Sequence, residues 1–474
     1  MTILQRRFDC FPDLLALHRL NPDRYPFLLE SVSHNTSSTI APEQHQSRWD
    51  ILFAFPGQRL ELSTTGQVQG DAPMIMADSM DFLNQLDNWW RQETIVENSS
   101  ISLPFTGGWF LYLSYELAGQ IESVLHLPGI SGHTRPQAMA VRCPAAILRD
   151  HEQQCTFIIS EAAYGHYLET MAADLQHLAD STENKTSTDN NMRSFKFSND
   201  DFHEEAEEQF LKAVEKIKDY IHEGDVFQVN LSRCWKGQLP ENIQAADLYQ
   251  TLRQYNPAPF AGLCVQQDWA IISSSPERLV CVDRERNAET RPIAGTRPRH
   301  GNQADDYLLS QELLHHPKER AEHIMLIDME RNDLGRVCQA GTIVVNELMV
   351  LESYTHVHHI VSNVRGHLRE DVTPGKVIRA VFPGGTITGC PKVRCMEIIA
   401  ELEQDERGPY TGSMGYLNLD GSLDLNILIR TLSLNEQELS LRAGAGIVAD
   451  SIPIQELAET RAKARGLLLA LGSL

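Results

Sequence analysis

The sequence contains no Cys-x-x-Cys pair among nine scattered cysteines, and no apolar run of membrane-spanning length. An odd, dispersed set of thiols excludes a disulfide framework and suits free cysteines in a reducing compartment. Arg6 and Arg7 near the N-terminus are not followed by an apolar stretch of the secretory kind, so a soluble, cytoplasmic protein is expected and no membrane partner. Basic residues are few: 41 Lys and Arg against 64 Asp and Glu give 41 − 64 = −23. Such a balance excludes DNA or RNA as a partner, because phosphate backbones demand the opposite sign. A small anionic ligand would need a local cluster of Arg, Lys or metal to offset the general field.

What is present is a large potential core. With 474 residues and 42% hydrophobic composition, the chain suits two to three domains or one large complex one. Residues 1–180 mix short helical pieces with alternating runs such as Trp49-Asp-Ile-Leu-Phe-Ala-Phe55 and Trp109-Phe-Leu-Tyr-Leu-Ser-Tyr115, an α+β region. Residues 181–199, rich in Thr, Asn, Ser and Asp, read as a polar linker or surface loop. The remainder, 200–474, opens on Phe210, Val214, Ile217 and Ile221 at helical spacing, between a cap-like Ser198-Asn-Asp-Asp201 and Gly224. In Val226-Phe-Gln-Val-Asn-Leu-Ser232, alternation sets Phe227, Val229 and Leu231 on one face and Gln228, Asn230 and Ser232 on the other. An edge strand with one wet face is expected there.

Several stretches carry chemistry. Gly444-Ala-Gly-Ile447 reads as a small-residue loop feeding a helix that starts near Pro453, on which Glu456, Glu459 and Lys463 share one face at i, i+3, i+7. That face is either an ordinary solvated ion pair or a site. A second carboxylate-bearing helix is expected over residues 317–335, with Pro317 in its first turn and Glu319 and Glu322 at i, i+3. Ser275-Pro-Glu-Arg278 turns the chain between two strands and leaves Glu277 at a strand end. Thr290-Arg-Pro-Ile-Ala-Gly-Thr-Arg-Pro-Arg299 reads as a rigid loop with cationic edges. Phe382-Pro-Gly-Gly-Thr-Ile-Thr-Gly-Cys-Pro-Lys392 joins a Gly/Thr loop to a helix beginning near Pro391. Its spacing is not that of a nucleotide P-loop, although a helix start of this kind attracts anions. Residues 410–418 and 422–432 read as paired strands, with Arg430 in an apolar run and an anionic partner expected for it.

These motifs together resemble the chorismate-utilising enzymes. The likeness rests on Pro292-Ile-Ala-Gly-Thr-Arg-Pro-Arg299, on Glu319-Arg-Ala-Glu-His323 through Arg331-Asn-Asp-Leu334, on the 383–392 loop, on Asp424 through Arg430, and on Gly444 through Lys463. Leu28-Leu-Glu-Ser31 and Arg48-Trp-Asp-Ile51 extend it to the N-terminal half. The resemblance implies an α/β fold of the α+β type, two stacked antiparallel sheets flanked by helices, with a cleft between them. It implies Mg²⁺ held by Glu322 and Glu459, with Glu456 supporting it through water and the ring carboxylate of chorismate completing the shell; hard oxygen donors suit that ion. Tyr410, Arg430, Lys463 and the backbone at Gly444 and Gly446 would contact substrate carboxylates, Gly295, Thr296 and His359 would line the ring, and Glu277 would act as general acid on the departing hydroxyl. Glu30 and Ser31, with Asn256-Pro-Ala-Pro-Phe260, resemble elements that bind tryptophan in this family.

Family members that add water to chorismate carry a Lys base where this chain has Gln228, and an amide cannot take a proton from water. Amination by ammonia from a separate glutamine amidotransferase subunit (component II) is the implied alternative. Pro383 through Gly389 and Arg48 through Ile51 resemble the aminodeoxychorismate synthase component I branch, which serves para-aminobenzoate and folate synthesis. Ala294 resembles anthranilate synthase component I instead, because many members of the first branch hold a nucleophilic Lys there. A non-catalytic tryptophan-binding paralogue is the remaining expectation, and retained Glu277, Glu322, Glu459 and Lys463 oppose it.

Overall fold

The computed structural model describes residues 2–32, 48–73, 81–94, 102–128, 132–183, 202–299, 301–353 and 357–473. Alternating burial drives these residues into two large antiparallel sheets. The first runs, edge to edge, through strands Ile3–Phe8, Cys155–Glu161, Ala145–Asp150, Trp49–Ala54, Phe27–Glu30, Phe260–Val265, Trp269–Ser275, Thr431–Asn435, Glu438–Ile447, Gln228–Gln238 and Phe202–Glu204. The second runs through Ile293–Pro298, Val357–His367, Asn287–Thr290, Arg278–Val282, Leu423–Asn426, Ser413–Asn418, Gly108–Leu113, Ala138–Cys143, Arg59–Leu62 and Val68–Gly70. Both sheets therefore contain strands from either side of residues 181–199. The joins are Leu28 against Leu263 in the first sheet and Leu111 against Gly415 in the second.

Three cores separate four layers. Phe27, Phe53, Phe110, Met139, Ile271 and Met414 fill the space between the sheets. The outer face of the first sheet is covered by helices Leu14–Leu20, Tyr167–Glu183, Ala245–Tyr255 and Pro453–Ala470. The outer face of the second is covered by Phe82–Glu93, Pro317–Gly335 and Pro374–Val381. No helix among the described residues is long and apolar enough to cross a membrane.

Several local expectations change. The helix Tyr167–Glu183 runs into the expected linker as far as Glu183, and the rest of that segment, with the cap-like Ser198–Asp201 run, lies outside the described residues. The following helix, Glu207–Glu223, starts behind Ala206 and ends on left-handed Gly224. Strand Gln228–Gln238 is no edge strand: it pairs with Glu438–Ile447 on one side and with Phe202–Glu204 and Gly389–Cys390 on the other. Its even-numbered face is polar because it meets carboxylates, Gln228 donating to Glu322 and Ser232 to Glu403, whereas Val229 and Leu231 are core and Phe227, just before it, is 68% exposed. The small-residue stretch 444–447 is the end of a strand rather than a loop. Most of residues 290–299 are also strand, and the cations there are paired: Arg291 with Glu347 and Glu352, Arg297 with Glu312 and Glu319, Arg299 with Asp306. Residues 422–432 do not form one strand. Leu423–Asn426 stays in the second sheet, the chain leaves at positive φ on Arg430, and Thr431–Asn435 joins the first.

One buried ion cluster ties the first sheet to the loop behind it. Glu403, at the C-cap of helix Lys392–Leu402, accepts from Arg407 Nε at 2.9 Å, Arg442 Nη2 at 3.0 Å, and the Ser232 amide at 2.8 Å. Burial pushes this carboxyl up, but the two guanidiniums outweigh burial and hold it below its ordinary range. The ionised form is favoured by folding, so its stabilisation is present above the ordinary carboxylate pKa and is lost as pH falls through the lowered value. Glu403→Ala would strand two buried cations; the expected cost is about 3–5 kcal/mol, read as a lower urea midpoint at pH 7.

Candidate active site

The cleft is built where the chain passes between sheets. Strand Trp269–Ser275 belongs to the first sheet and Arg278–Val282 to the second, so Pro276 and Glu277 form the crossover. That position buries Glu277, and burial raises its carboxyl to about 7, against the Thr386 hydroxyl donated to it and the nearby charges of Lys463 and Arg430. Thr386 Oγ1 lies 2.8 Å from Glu277 Oε1. Thr386 sits in the short turn Gly385–Ile387, and two residues on, the Thr388 carbonyl accepts from the Asn230 amide at 2.9 Å. A single loop thus holds Glu277 and the cleft face of strand Gln228–Gln238 together.

Helix Pro317–Gly335 forms as expected, with His316 capping it and Pro317 at its start. Glu322 faces the cleft, where Gln228 Nε2 donates to its Oε1 at 2.8 Å. Burial raises the Glu322 pKa, the Gln228 bond opposes this, and neighbouring Glu319 adds to it. Glu319 itself is turned toward Arg297 and lies under Gly295, whose φ is +72°. A Cβ on Gly295 would stand 2.9 Å from Glu319 Oε2, which would have to shift, and the left-handed backbone favours glycine there.

Helix Pro453–Ala470 supplies the opposite wall. Burial, then the charge of Glu459, raises Glu456, which also lies within the fields of Lys318 and Lys463. Glu322 lies within the fields of the same two lysines, so carboxylates from two different helices share their cationic neighbours. Lys463 pairs with Glu459 at 2.8 Å and with the Gly444 carbonyl at 2.9 Å. The ordinary i, i+4 pair is therefore made here, and the same ammonium also reaches the strand end.

Among the described residues no three His, Cys, Asp or Glu side chains converge to hold a metal by themselves. The donors nonetheless suit a hard dication. Glu322, Glu456 and Glu459 offer carboxylate oxygens alone; burial and like charge raise the first two, which a shared cation would relieve, and Glu459 is exposed beside Lys463. A shell built on them would need oxygens from substrate and water.

The remaining candidates divide between the neighbourhood of Glu277 and Lys463 and a separate cluster. Tyr410 is buried, its hydroxyl pushed up by burial to about 12. Arg430 is half-buried and feels the charge of Glu277, but the expected anionic partner does not appear as an ion pair among the described residues. His359 is buried and burial lowers its pKa to about 3, so the ring is neutral; Thr296 stands opposite it in register, placed by its backbone. Gly444 and Gly446 pair with Ser232 and Asn230. Glu30 and Ser31 lie elsewhere, in a polar cluster between helix Ala245–Tyr255 and strand Trp49–Ala54. Glu30 accepts from the Tyr249 hydroxyl at 2.8 Å and from Arg253, and the Ser31 amide donates to Asp50.

Two features escaped sequence reasoning. Thr386 lies inside the Gly/Thr loop of residues 382–392, but nothing local ties it to Glu277, more than a hundred residues earlier. Glu330, buried on helix Pro317–Gly335 near Asp333 and Lys392, is pushed up by burial and then by Asp333, and also feels Glu277. Its spacing from Glu322, eight residues on the same helix, was the available signal.

The model for chorismate-binding enzymes matches residues 37–469. An anthranilate synthase component I-like protein of Synechocystis sp. is 42% identical over 395 residues, covering 83% of this chain and 78% of that protein. Aminodeoxychorismate synthase component 1 of Bacillus subtilis is 41% identical over 394 residues, covering 82% of each. The crystal structure of anthranilate synthase component I from Streptococcus pneumoniae superposes with a TM-score of 0.76 at 30% identity, covering 92% of this chain and 95% of that one.

The raised value of Glu277 fixes the sign of its effect on folding. Folding favours the protonated form, so this stabilisation is complete below pH 4.5 and is lost as pH rises through about 7. Glu277→Gln should therefore gain stability relative to wild type between pH 5 and pH 8, by on the order of 2–3 kcal/mol in urea unfolding.

Proposed function

The chain belongs to the chorismate-binding enzyme family, and from that premise we propose that it aminates chorismate with ammonia to give 4-amino-4-deoxychorismate, the precursor of para-aminobenzoate. The observation that supports amination is the Gln228 amide on the cleft face, bonded to Glu322 where water-adding members present a lysine base. An amide orients a nucleophile but does not deprotonate it, which suits ammonia and not water. A glutamine amidotransferase subunit would supply the ammonia. The choice of product draws on the Bacillus subtilis relative, named for that reaction and matched over 82% of both chains.

Each side chain then has a task. Lys463, Arg430 and Tyr410, with the backbone at Gly444 and Gly446, would receive substrate carboxylates. Neutral His359 would pack against the ring beside Gly295 and Thr296. Glu277, its carboxyl raised by burial to about 7, would give its proton to the departing hydroxyl. Mg²⁺ would be held by Glu322 and Glu459, with Glu456 reaching it through water, and would neutralise the ring carboxylate.

Ala294 favours a second reading. It is buried in strand Ile293–Pro298 opposite Ile360 and offers no nucleophile, as in anthranilate synthase, where ammonia attacks the ring directly and pyruvate leaves. Incubation with chorismate, an ammonium salt and Mg²⁺ separates the two. The proposal expects 4-amino-4-deoxychorismate by chromatography, with no pyruvate until a lyase is added; fluorescent anthranilate with stoichiometric pyruvate would establish the second reading. Glu322→Ala should lower turnover by about 10²–10³-fold with folding intact, and wild-type activity should vanish in chelator and return with Mg²⁺.

A further inference from the structure

A second group of buried polar atoms stands behind the backbone of Arg407, apart from the residues placed in the active site. Past strand Gly108–Leu113 the chain makes a short turn, where Glu116 Oε1 accepts from the Arg407 amide at 2.9 Å and from the Gly408 amide at 3.1 Å. Its other oxygen, Oε2, is buried and has no hydrogen-bond partner. Glu406 Oε2, Tyr112 Oη and Ser114 Oγ are in the same condition. Tyr112 is 0% and Glu116 5% exposed, so bulk solvent does not satisfy them.

Gly408 brings the two carboxyls together. Its amide meets Glu116, while a Cβ on it would lie 2.6 Å from Arg135 Nη2 and 3.9 Å from Glu406 Oε1, and those two atoms are themselves paired at 3.3 Å. Tyr112, four residues before Glu116, lies within the fields of Glu116, Glu406 and Arg135. The Ser114 hydroxyl is near enough to Glu116 to favour its charged form. Glu406, Arg135 and Gly408 also line a polar cavity of about 350 Å³ whose rim includes exposed Gln404 and Asp405, which gives the group a route to the surface.

Ionised carboxyl oxygens only accept, and hydroxyl oxygens accept as well as donate, so the ligand that answers all four atoms is a cation. Burial raises Glu116 against the Gly408 amide, and burial, then the charge of Glu116, raises Glu406 to about 7. Carboxyls so placed gain by taking up positive charge. Its amount is limited by the neighbours. Arg135 answers one of the two carboxylates, 2 − 1 = 1, and His133 is held neutral by burial and by the Arg135 charge. Lys236 is taken by Asp405 at 2.8 Å, and Arg407 and Arg442 are taken by Glu403. One remaining negative charge with two hydroxyl oxygens suits a monovalent ion, whereas Mg²⁺ demands octahedral oxygen geometry and holds its waters.

We propose that Glu116, Glu406, Tyr112 and Ser114 form a binding site for one monovalent cation of the size of potassium or ammonium. The site shares no residue with the carboxylates assigned to Mg²⁺ and does not depend on which product the cleft makes. Its role is positional. Glu116 holds the amides of Arg407 and Gly408, and the Arg407 side chain reaches Glu403 and the carbonyls of Asn230 and Ile387. An ion on Glu116 therefore fixes the backbone from which that guanidinium extends.

Thermal unfolding of the full chain at one ionic strength tests the site without reference to turnover. Potassium chloride or ammonium chloride at about 0.2 M is expected to raise Tm by about 2 °C over the same concentration of N-methyl-D-glucamine chloride, whose cation is too bulky to enter. Glu406→Gln should abolish the difference between the salts, and Tyr112→Phe should reduce it by about half. Potassium is no nitrogen source, so its effect is independent of amination. Equal Tm values in potassium and N-methyl-D-glucamine, a shift in ammonium alone, or a full potassium shift in Glu406→Gln overturns the site. Should Glu406→Gln fail to fold, Tyr112→Phe decides: a reduced potassium shift supports the site and an undiminished one overturns it.

Discussion

The Arg407 guanidinium holds the cleft together. Two of its nitrogens meet Glu403, at 2.9 and 2.7 Å. It also donates to the Asn230 carbonyl at 2.7 Å and to the Ile387 carbonyl at 3.2 Å, and it lies over the Tyr115 ring. Strand Gln228–Gln238, the loop that positions Glu277, and the segment bearing Tyr410 are therefore fixed to one planar group. Only arginine offers five donors in a rigid fork, and a lysine could reach one or two of these acceptors but not the set. The ion pair is buried, and its value lies less in net stability than in where it places three backbone segments.

Much of the architecture was legible from periodicity. Helices Pro317–Gly335 and Pro453–Ala470 begin at the prolines that announced them, and a carboxylate on each lies within the fields of Lys318 and Lys463. What failed was inference about edges and loops. The polar alternation of Gln228, Asn230 and Ser232 reads locally like a solvent-facing edge, because sequence shows that a face is polar but not what it faces. The glycines of residues 444–447 looked like a loop for the same reason: the requirement for small residues comes from side chains on the neighbouring strand, more than two hundred residues earlier. Arg291 and Arg297 looked like exposed cations until their acidic partners were brought to them from later elements.

The electrostatics of the cleft follow from the same arrangement. Burial there outweighs the cations that answer the carboxyls, so Glu277, Glu322 and Glu456 all sit above their ordinary pKa. For Glu277 the cause is burial at a sheet-to-sheet crossover, a position that no helix or loop could reproduce. For Glu322 and Glu456 like charge adds to burial, the condition under which a dication or a cationic substrate group binds with most gain. The overall charge of −23 plays no part in this; local geometry sets the sign.

The interleaving of both halves in both sheets bears on how the chain reaches this state. Strand Phe27–Glu30 pairs on one side with Trp49–Ala54, soon after it in sequence, but on the other with Phe260–Val265. During synthesis at roughly 5–20 residues per second, its second edge waits on the order of 10–50 seconds for that partner. Throughout that interval a strand of Phe and Leu presents unpaired amides and carbonyls, the kind of edge on which foreign strands nucleate. Pairings of such long sequence separation make the sheets' completion a non-local step, which is the slow part of folding and the one most exposed to aggregation.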